Sequence, residues 1–132
     1  MYIKQLSVFL ENKPGTLEEA LKILKESEVN IVALSLADTS EFGLLRIVVD
    51  KPEEAKQALR DKGYTSILNE VLMVHLKDQV GYLQKLIETV SGAGINVEYM
   101  YAAPTLSEGA DLILKTSDLK GAEEAIRKVD GN

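Results

Sequence analysis

Apolar residues stand at every second position in Leu6, Val8 and Leu10, the period of a strand with one buried face. Pro14-Gly15 breaks that run, and Leu17, Ala20, Leu21 and Leu24 then recur at i, i+3, i+4 and i+7, which predicts an amphipathic helix. Residues 31–37 alternate again, with Val32, Leu34 and Leu36 set against Ala33, Ser35 and Ala37. The turn-rich Asp38-Thr39-Ser40-Glu41 leads from there into a second β run over residues 44–49, and the two strands read as a hairpin. Asp50 is placed to N-cap a second helix with Pro52 in its first turn, Ala55, Ala58 and Leu59 facing inward, and Gly63 as its stop. A last strand is expected over residues 64–68.

The same pattern then starts over. An offset of 66 residues lays Leu6-Ser7-Val8-Phe9-Leu10 on Leu72-Met73-Val74-His75-Leu76, Gly15-Thr16-Leu17 on Gly81-Tyr82-Leu83, and Val29-Asn30-Ile31 on Ile95-Asn96-Val97. One extra residue between Ala103 and Ala110 moves the offset to 67, after which Ala55, Ala58 and Leu59 fall on Ala122, Ala125 and Ile126. The chain is therefore read as a duplication, with copies at residues 1–69 and 70–132. The second copy has helices built on Leu83, Leu86, Ile87 and Val90 and on Ala122, Ala125, Ile126 and Val129, with strands over residues 99–103 and 112–115. The predicted fold class is α+β: two tandem ferredoxin-like βαββαβ sandwiches, each with two helices on one face of an antiparallel sheet. Only Asp130-Gly131-Asn132 follow Val129, so the second copy is expected to lack or shorten its last strand. Its sheet edge then needs cover, from the extra N-terminal residues or from a partner chain.

Several strands carry apolar side chains on both faces: Phe9 beside Val8 and Leu10, Leu44 and Val48 beside Leu45 and Ile47, Tyr99 and Tyr101 beside Met100. Helices cover one face, and burying an aromatic on the other is worth about 1.5–3 kcal/mol. A homodimer is expected on that ground.

Composition narrows the chemistry. Fifteen Lys and Arg against 21 Asp and Glu give a net charge of −6, which leaves no electrostatic footprint for nucleic acid or an anionic membrane. No cysteine and a single histidine, His75, exclude disulfides, thiol chemistry and zinc sites built on Cys or paired His. No signal-peptide core and no apolar stretch near 18 residues is present, and the expected location is the cytoplasm. His75 sits mid-strand where copy one has Phe9, and no nucleophile or acid partner is evident, so it is not read as a catalytic base. Glu18-Glu19 and Glu123-Glu124 lie among lysines as solvated helix faces. Gly92-Ala93-Gly94 reads as a helix end, and no phosphate-loop or dinucleotide fingerprint appears. The chain is expected to be no enzyme and to hold no cofactor and no metal.

The informative segment is the turn between first strand and first helix: Glu11-Asn12-Lys13-Pro14-Gly15-Thr16-Leu17, matched by Lys77-Asp78-Gln79-Val80-Gly81-Tyr82-Leu83. Its glycine permits close approach, and the first-turn N–H groups with the helix dipole suit an anion such as a carboxylate. The blander reading is that Asn12 and Asp78 cap their helices while Gly15 and Gly81 make the turn. Asn30 and Asn96, where helix passes to strand, carry the same two readings of turn former or ligand donor.

The run Leu10-Glu11-Asn12-Lys13-Pro14-Gly15-Thr16-Leu17 followed by Val29-Asn30-Ile31, with its second copy in Asp78-Gln79-Val80-Gly81-Tyr82-Leu83 and Gly94-Ile95-Asn96-Val97, resembles the signature of the ACT domain. ACT domains are small βαββαβ regulatory modules of amino-acid metabolism. The segments Phe42-Gly43-Leu44-Leu45-Arg46 and Glu98-Tyr99-Met100-Tyr101 further resemble free-standing tandem-ACT proteins without an enzyme domain. The resemblance implies allosteric binding of a free amino acid where two ACT modules meet. Carried over position by position, it implies half-sites at Asn12, Lys13, Pro14, Gly15, Thr16 and Leu17 with Asn30 and Ile31, and at Asp78, Gln79, Val80, Gly81, Tyr82 and Leu83 with Asn96 and Val97. The copies are unequal: Val80 replaces the proline, and Asp78 puts a negative charge where Asn12 is neutral, repelling a carboxylate and suiting an ammonium. A ligand of about ten heavy atoms held at micromolar affinity needs roughly −8 kcal/mol, which requires near-complete enclosure. Two modules provide that enclosure, and Tyr82, Tyr99 and Tyr101 are candidates for its walls or for dimer core. Two readings follow. One is a regulatory protein that binds an amino acid and acts on a partner in amino-acid metabolism. The alternative is a ligand-free structural or oligomerisation module, a regulatory subunit of an enzyme in the manner of that of acetolactate synthase.

Overall fold

The computed structural model describes residues 2–38, 41–104 and 108–129. Its elements, in order, are β1 (Tyr2–Glu11), α1 (Thr16–Glu26), β2 (Ile31–Asp38), β3 (Phe42–Val49), α2 (Pro52–Asp61), β4 (Ser66–Leu76), α3 (Tyr82–Gly92), β5 (Val97–Ala103), β6 (Ala110–Thr116) and α4 (Leu119–Arg127). The fold is α+β with the repeated ferredoxin-like order anticipated from the sequence. Thr39 and Ser40 of the hairpin turn, residues 105–107 within the stretch holding the one-residue insertion, and Asp130-Gly131-Asn132 lie outside the described residues. The chain divides into two compact units, residues 4–70 and residues 71–132 joined by residues 1–3.

In the first unit the strands run β2-β3-β1-β4, antiparallel where β1 and β2 flank β3. Leu6 and Val8 stand opposite Ile47 and Leu45, so these four share a face. That face is buried with Ala20, Ile23 and Leu24 of α1 and Ala55 and Leu59 of α2. The helix residues recur with the 3.6-residue period that turns one stripe inward. Register slips between Ile31 and Ala33, so the simple alternation expected through Val32 is broken by a bulge. Leu34 and Leu36 remain half exposed on this edge strand.

The second unit has the order β4-β6-β5. Its core joins Leu72, Val74, Leu112 and Leu114 of the sheet to Leu86 and Val90 of α3 and Ala122 and Ile126 of α4. No strand follows α4 among the described residues. Tyr2 and Ile3 cluster with this unit.

Three expectations need correction. The strand expected over residues 64–68 begins at Ser66 and continues without a break to Leu76 as β4, because Ile67-Leu68-Asn69-Glu70-Val71 contains neither Gly nor Pro to turn the chain. Asp50 does not cap α2: its carboxylate accepts the Asn30 N–H at 2.9 Å, and the N-cap is Lys51, which makes no side-chain cap bond. Ser117 does the same work for Asn96 at 3.0 Å, leaving Asp118 free to cap α4 through Gly121 N–H. Nor do Asn12 and Asp78 cap helices: the N-caps of α1 and α3 are Gly15 and Gly81, without side-chain cap bonds. No helix among the described residues is long and apolar enough to cross a membrane.

Candidate functional site

β1 ends at Glu11, and the chain reaches α1 through a turn closed by Lys13 N–H donating to the Glu11 carbonyl at 2.9 Å. The Thr16 hydroxyl lies 2.7 Å from that carbonyl and 3.1 Å from the Lys13 carbonyl. Asn12 Nδ2 donates to Asp38 Oδ1 at 3.0 Å, tying the turn to the end of β2. Gly15 enters the helix at φ 93°, and a Cβ there would meet nothing within 4 Å. Glycine is thus required by the left-handed backbone and leaves open space above the first helical turn.

The matching turn before α3 has the same backbone. Gln79 N–H donates to the Lys77 carbonyl at 2.9 Å, and Gly81 has φ 82° with equally open surroundings. The side chains differ. Tyr82 is buried in the second core, with Lys77 Nζ 5.8 Å from its ring centre, while Val80 is fully exposed.

A cleft of about 380 Å³ opens beside the first turn. From the expected half-site it takes Lys13 and Thr16. It also takes residues outside the expected half-site: Glu11, from the same turn; Glu19, read as solvated helix surface; Lys62 and Tyr64 just beyond α2; and Phe9 and Phe42. Lys13 Nζ is 3.1 Å from Glu11 Oε2. Burial raises the Tyr64 phenol above its ordinary range, and its hydrogen bond to the Glu19 carboxylate and the nearby charges of Glu19 and Glu11 push the same way. The cleft therefore presents both charge signs beside the aromatic residues Phe9, Phe42 and Tyr64. Asn12, Pro14, Gly15, Leu17, Asn30 and Ile31 do not line it. Leu17 and Ile31 pack against the first core, and the backbone N–H of Asn30 is held by Asp50.

The second copy has a recess of about 360 Å³ lined by Leu76, Lys77, Asp78, Gly109 and Ala110. Of the expected half-site only Asp78 reaches it; Gln79, Val80, Gly81, Tyr82, Leu83, Asn96 and Val97 do not. His75, read as lacking an acid partner, has one: its Nδ1 is 3.2 Å from Asp111 Oδ1. The two residues oppose each other across β4 and β6, a spacing that a sequence without the strand register does not reveal.

Comparison with known proteins agrees with this architecture. A family model described as an ACT domain pair matches residues 1–130. The crystal structure of protein BT0572 from Bacteroides thetaiotaomicron is similar, with 32% identity and a TM-score of 0.91 over 98% of this chain and 90% of that one. The regulatory subunits of aspartate kinase from Thermus thermophilus (17% identity, TM-score 0.69, 96% of this chain and 90% of that) and Thermus flavus (18%, 0.65, 98% and 92%) share the fold. No curated protein sequence matches the chain. With the duplicated βαββα order, the paired glycine turns and a family match that runs almost end to end, the chain belongs to the ACT domain family as a tandem pair.

Proposed function

We propose that this protein is a non-catalytic regulator that binds a free amino acid and modulates a partner in amino-acid metabolism. The observation that carries the reading is the mixed-charge cleft beside the first turn. Lys62 and the first-turn N–H groups of α1 face the ligand carboxylate, Glu19 faces its ammonium, and Phe9 and Phe42 contact its carbon skeleton. The regulatory role draws on the family, whose domains are regulatory modules, and on fold relatives that are regulatory subunits of aspartate kinase. A metabolic enzyme of the cytoplasm is the class of partner this implies.

A cleft open to solvent encloses a small ligand incompletely, and micromolar affinity requires enclosure. A second copy of the chain supplies it in this proposal, burying the exposed Leu34, Leu36 and Phe42. Asn30 and Ile31, which the family pattern marks for ligand contact, then act at the junction of two modules. The ligand-free assembly reading draws on the second copy, where Tyr82 has joined the core and the recess lacks an aromatic wall.

A thermal-unfolding panel against the common amino acids, with light scattering on the same sample, separates the two. At 100 times its dissociation constant a true effector adds about 2.7 kcal/mol and moves the midpoint by several degrees. Lys62→Ala should abolish that shift while leaving the ligand-free midpoint unchanged. A dimer whose midpoint no amino acid moves would establish the assembly module instead.

A further inference from the structure

A second recess of about 280 Å³, which shares Tyr64 and Thr65 with the cleft beside α1's turn, is lined by Lys56, Arg60, Tyr64, Thr65 and Ser66. Two cations and two aliphatic hydroxyls converge there, with no carboxylate and no aliphatic side chain in the lining. We propose that this recess binds a phosphate-type oxyanion, carried by a small phosphorylated metabolite or present as free phosphate. The site goes beyond the amino-acid reading and does not depend on it.

The second copy provides the internal control. In register with Lys56 and Arg60 of α2 stand Glu123 and Arg127 of α4, which neutralise each other as an i,i+4 ion pair at 3.5 Å. At the same helix positions the first copy places two like charges, a spacing that repels. Of the neighbouring carboxylates, Glu53 pairs with Lys4 at 2.5 Å, Asp61 accepts from the Gln57 amide at 2.8 Å, and neither these two nor Glu54 lines the recess. Among the described residues Lys56 and Arg60 have no ion-pair partner. This cationic pair belongs to a chain of net charge −6, so a surplus of basic residues does not explain it.

At the end of α2 the Leu59 carbonyl accepts the N–H groups of Lys62 and Tyr64 and the Arg60 carbonyl accepts Gly63 N–H, so these two carbonyls are bonded to backbone rather than to the two cationic side chains. A guanidinium fork, an ammonium and the Thr65 and Ser66 hydroxyls are the donor set that tetrahedral oxyanions engage, with Arg supplying the paired contact. The volume sits just below the usual range for ligand pockets, about 300–1,000 Å³, which suits a phosphate group or a small phosphate monoester.

The test is an amide-resolved NMR titration of the full chain at constant ionic strength, with inorganic phosphate, glycerol 3-phosphate, acetate and sodium chloride as separate probes. Saturable shifts at Arg60, Tyr64, Thr65 and Ser66 with the phosphate-bearing probes are expected. Lys56→Glu, which installs the ion pair of the second copy, should weaken that binding at least tenfold without lowering the thermal midpoint. Tighter binding of the ester identifies a phosphorylated metabolite as the source, and equal binding identifies free phosphate. Shifts that never saturate, saturation by acetate at equal affinity, or phosphate binding that survives Lys56→Glu would overturn the proposal.

Discussion

Gly15 and Gly81 enter their helices at φ 93° and 82°, and the same 2.9 Å backbone bond closes the turn before each, from Lys13 to Glu11 and from Gln79 to Lys77. On that shared frame the side chains have parted. Thr16 hydrogen-bonds its own loop where Tyr82 fills a core, and Asn12 is tied to Asp38 where Asp78 lines a recess with Lys77, Leu76 and Ala110. The difference separates two kinds of constraint. Backbone dihedrals and the hydrogen bonds of the turn hold the fold and are kept in both copies. Side-chain chemistry around the turn is free to differ: the first copy lines its cleft with both charge signs and the rings of Phe9, Phe42 and Tyr64, whereas the recess of the second has both charge signs and no aromatic residue in its lining.

The largest effects should come from breaking what the copies share. A β-branched residue in the left-handed region costs about 2 kcal/mol, so Gly15→Val and Gly81→Val should destabilise the protein by similar amounts in urea titration. Both positions have open space around the missing Cβ, so the cost is conformational rather than a clash. Their effects on ligand affinity should diverge, with Gly15→Val weakening amino-acid binding at least tenfold and Gly81→Val leaving it unchanged. Equal losses of affinity would mean that the second turn also binds.

A smaller effect, of opposite sign, lies in the second core. Thr116 is 1% exposed and its hydroxyl has no hydrogen-bond partner, while its counterpart in the first copy is Val49, packed in the core there. A buried hydroxyl without a partner costs about 1–3 kcal/mol. Thr116→Val keeps the shape and removes the cost, and should raise stability by about 1 kcal/mol, seen as a thermal midpoint about 3–4 °C higher. A fall in the midpoint would show that the hydroxyl is partnered in solution.

Periodicity made the helices, the strands and the duplication legible, because Leu17, Ala20, Leu21 and Leu24 or Leu6, Val8 and Leu10 write their burial directly into spacing. The continuous β4 was not legible: a strand that ends one repeat and begins the next looks like two strands to any reading that first divides the chain into copies. Lys13 and Thr16 of the cleft could be found in the turn motif. Lys62 and Tyr64 could not, since they lie roughly 50 residues away and reach the turn only after α2 has crossed the sheet. Asp50 was misassigned for a related reason. An aspartate before a helix satisfies the capping pattern, but the N–H it accepts belongs to Asn30, which only the folded hairpin brings near.

The smallest effect concerns how the equivalent helices α1 and α3 end. Both close with the same paired bonds, Val29 N–H to Leu24 and Glu28 N–H to Lys25 in the first, Ile95 N–H to Val90 and Gly94 N–H to Ser91 in the second. That motif puts its next-to-last residue in the left-handed region, where the second copy has Gly94 at φ 79° and the first has Glu28 at φ 58°. A non-glycine residue there costs about 1–2 kcal/mol, and glycine returns about 0.4–1 kcal/mol of that as extra freedom of the unfolded chain. Glu28→Gly should therefore stabilise the protein by about 0.5–1 kcal/mol, and Gly94→Glu should cost a similar amount. The Lys51 ammonium bonds the Glu28 backbone carbonyl at 3.2 Å, a contact that glycine keeps, so the gain is not offset there. Measured by urea denaturation, opposite signs for the reciprocal pair would confirm that the copies obey one backbone rule, whereas a loss in Glu28→Gly would show that the glutamate side chain itself holds the end of α1.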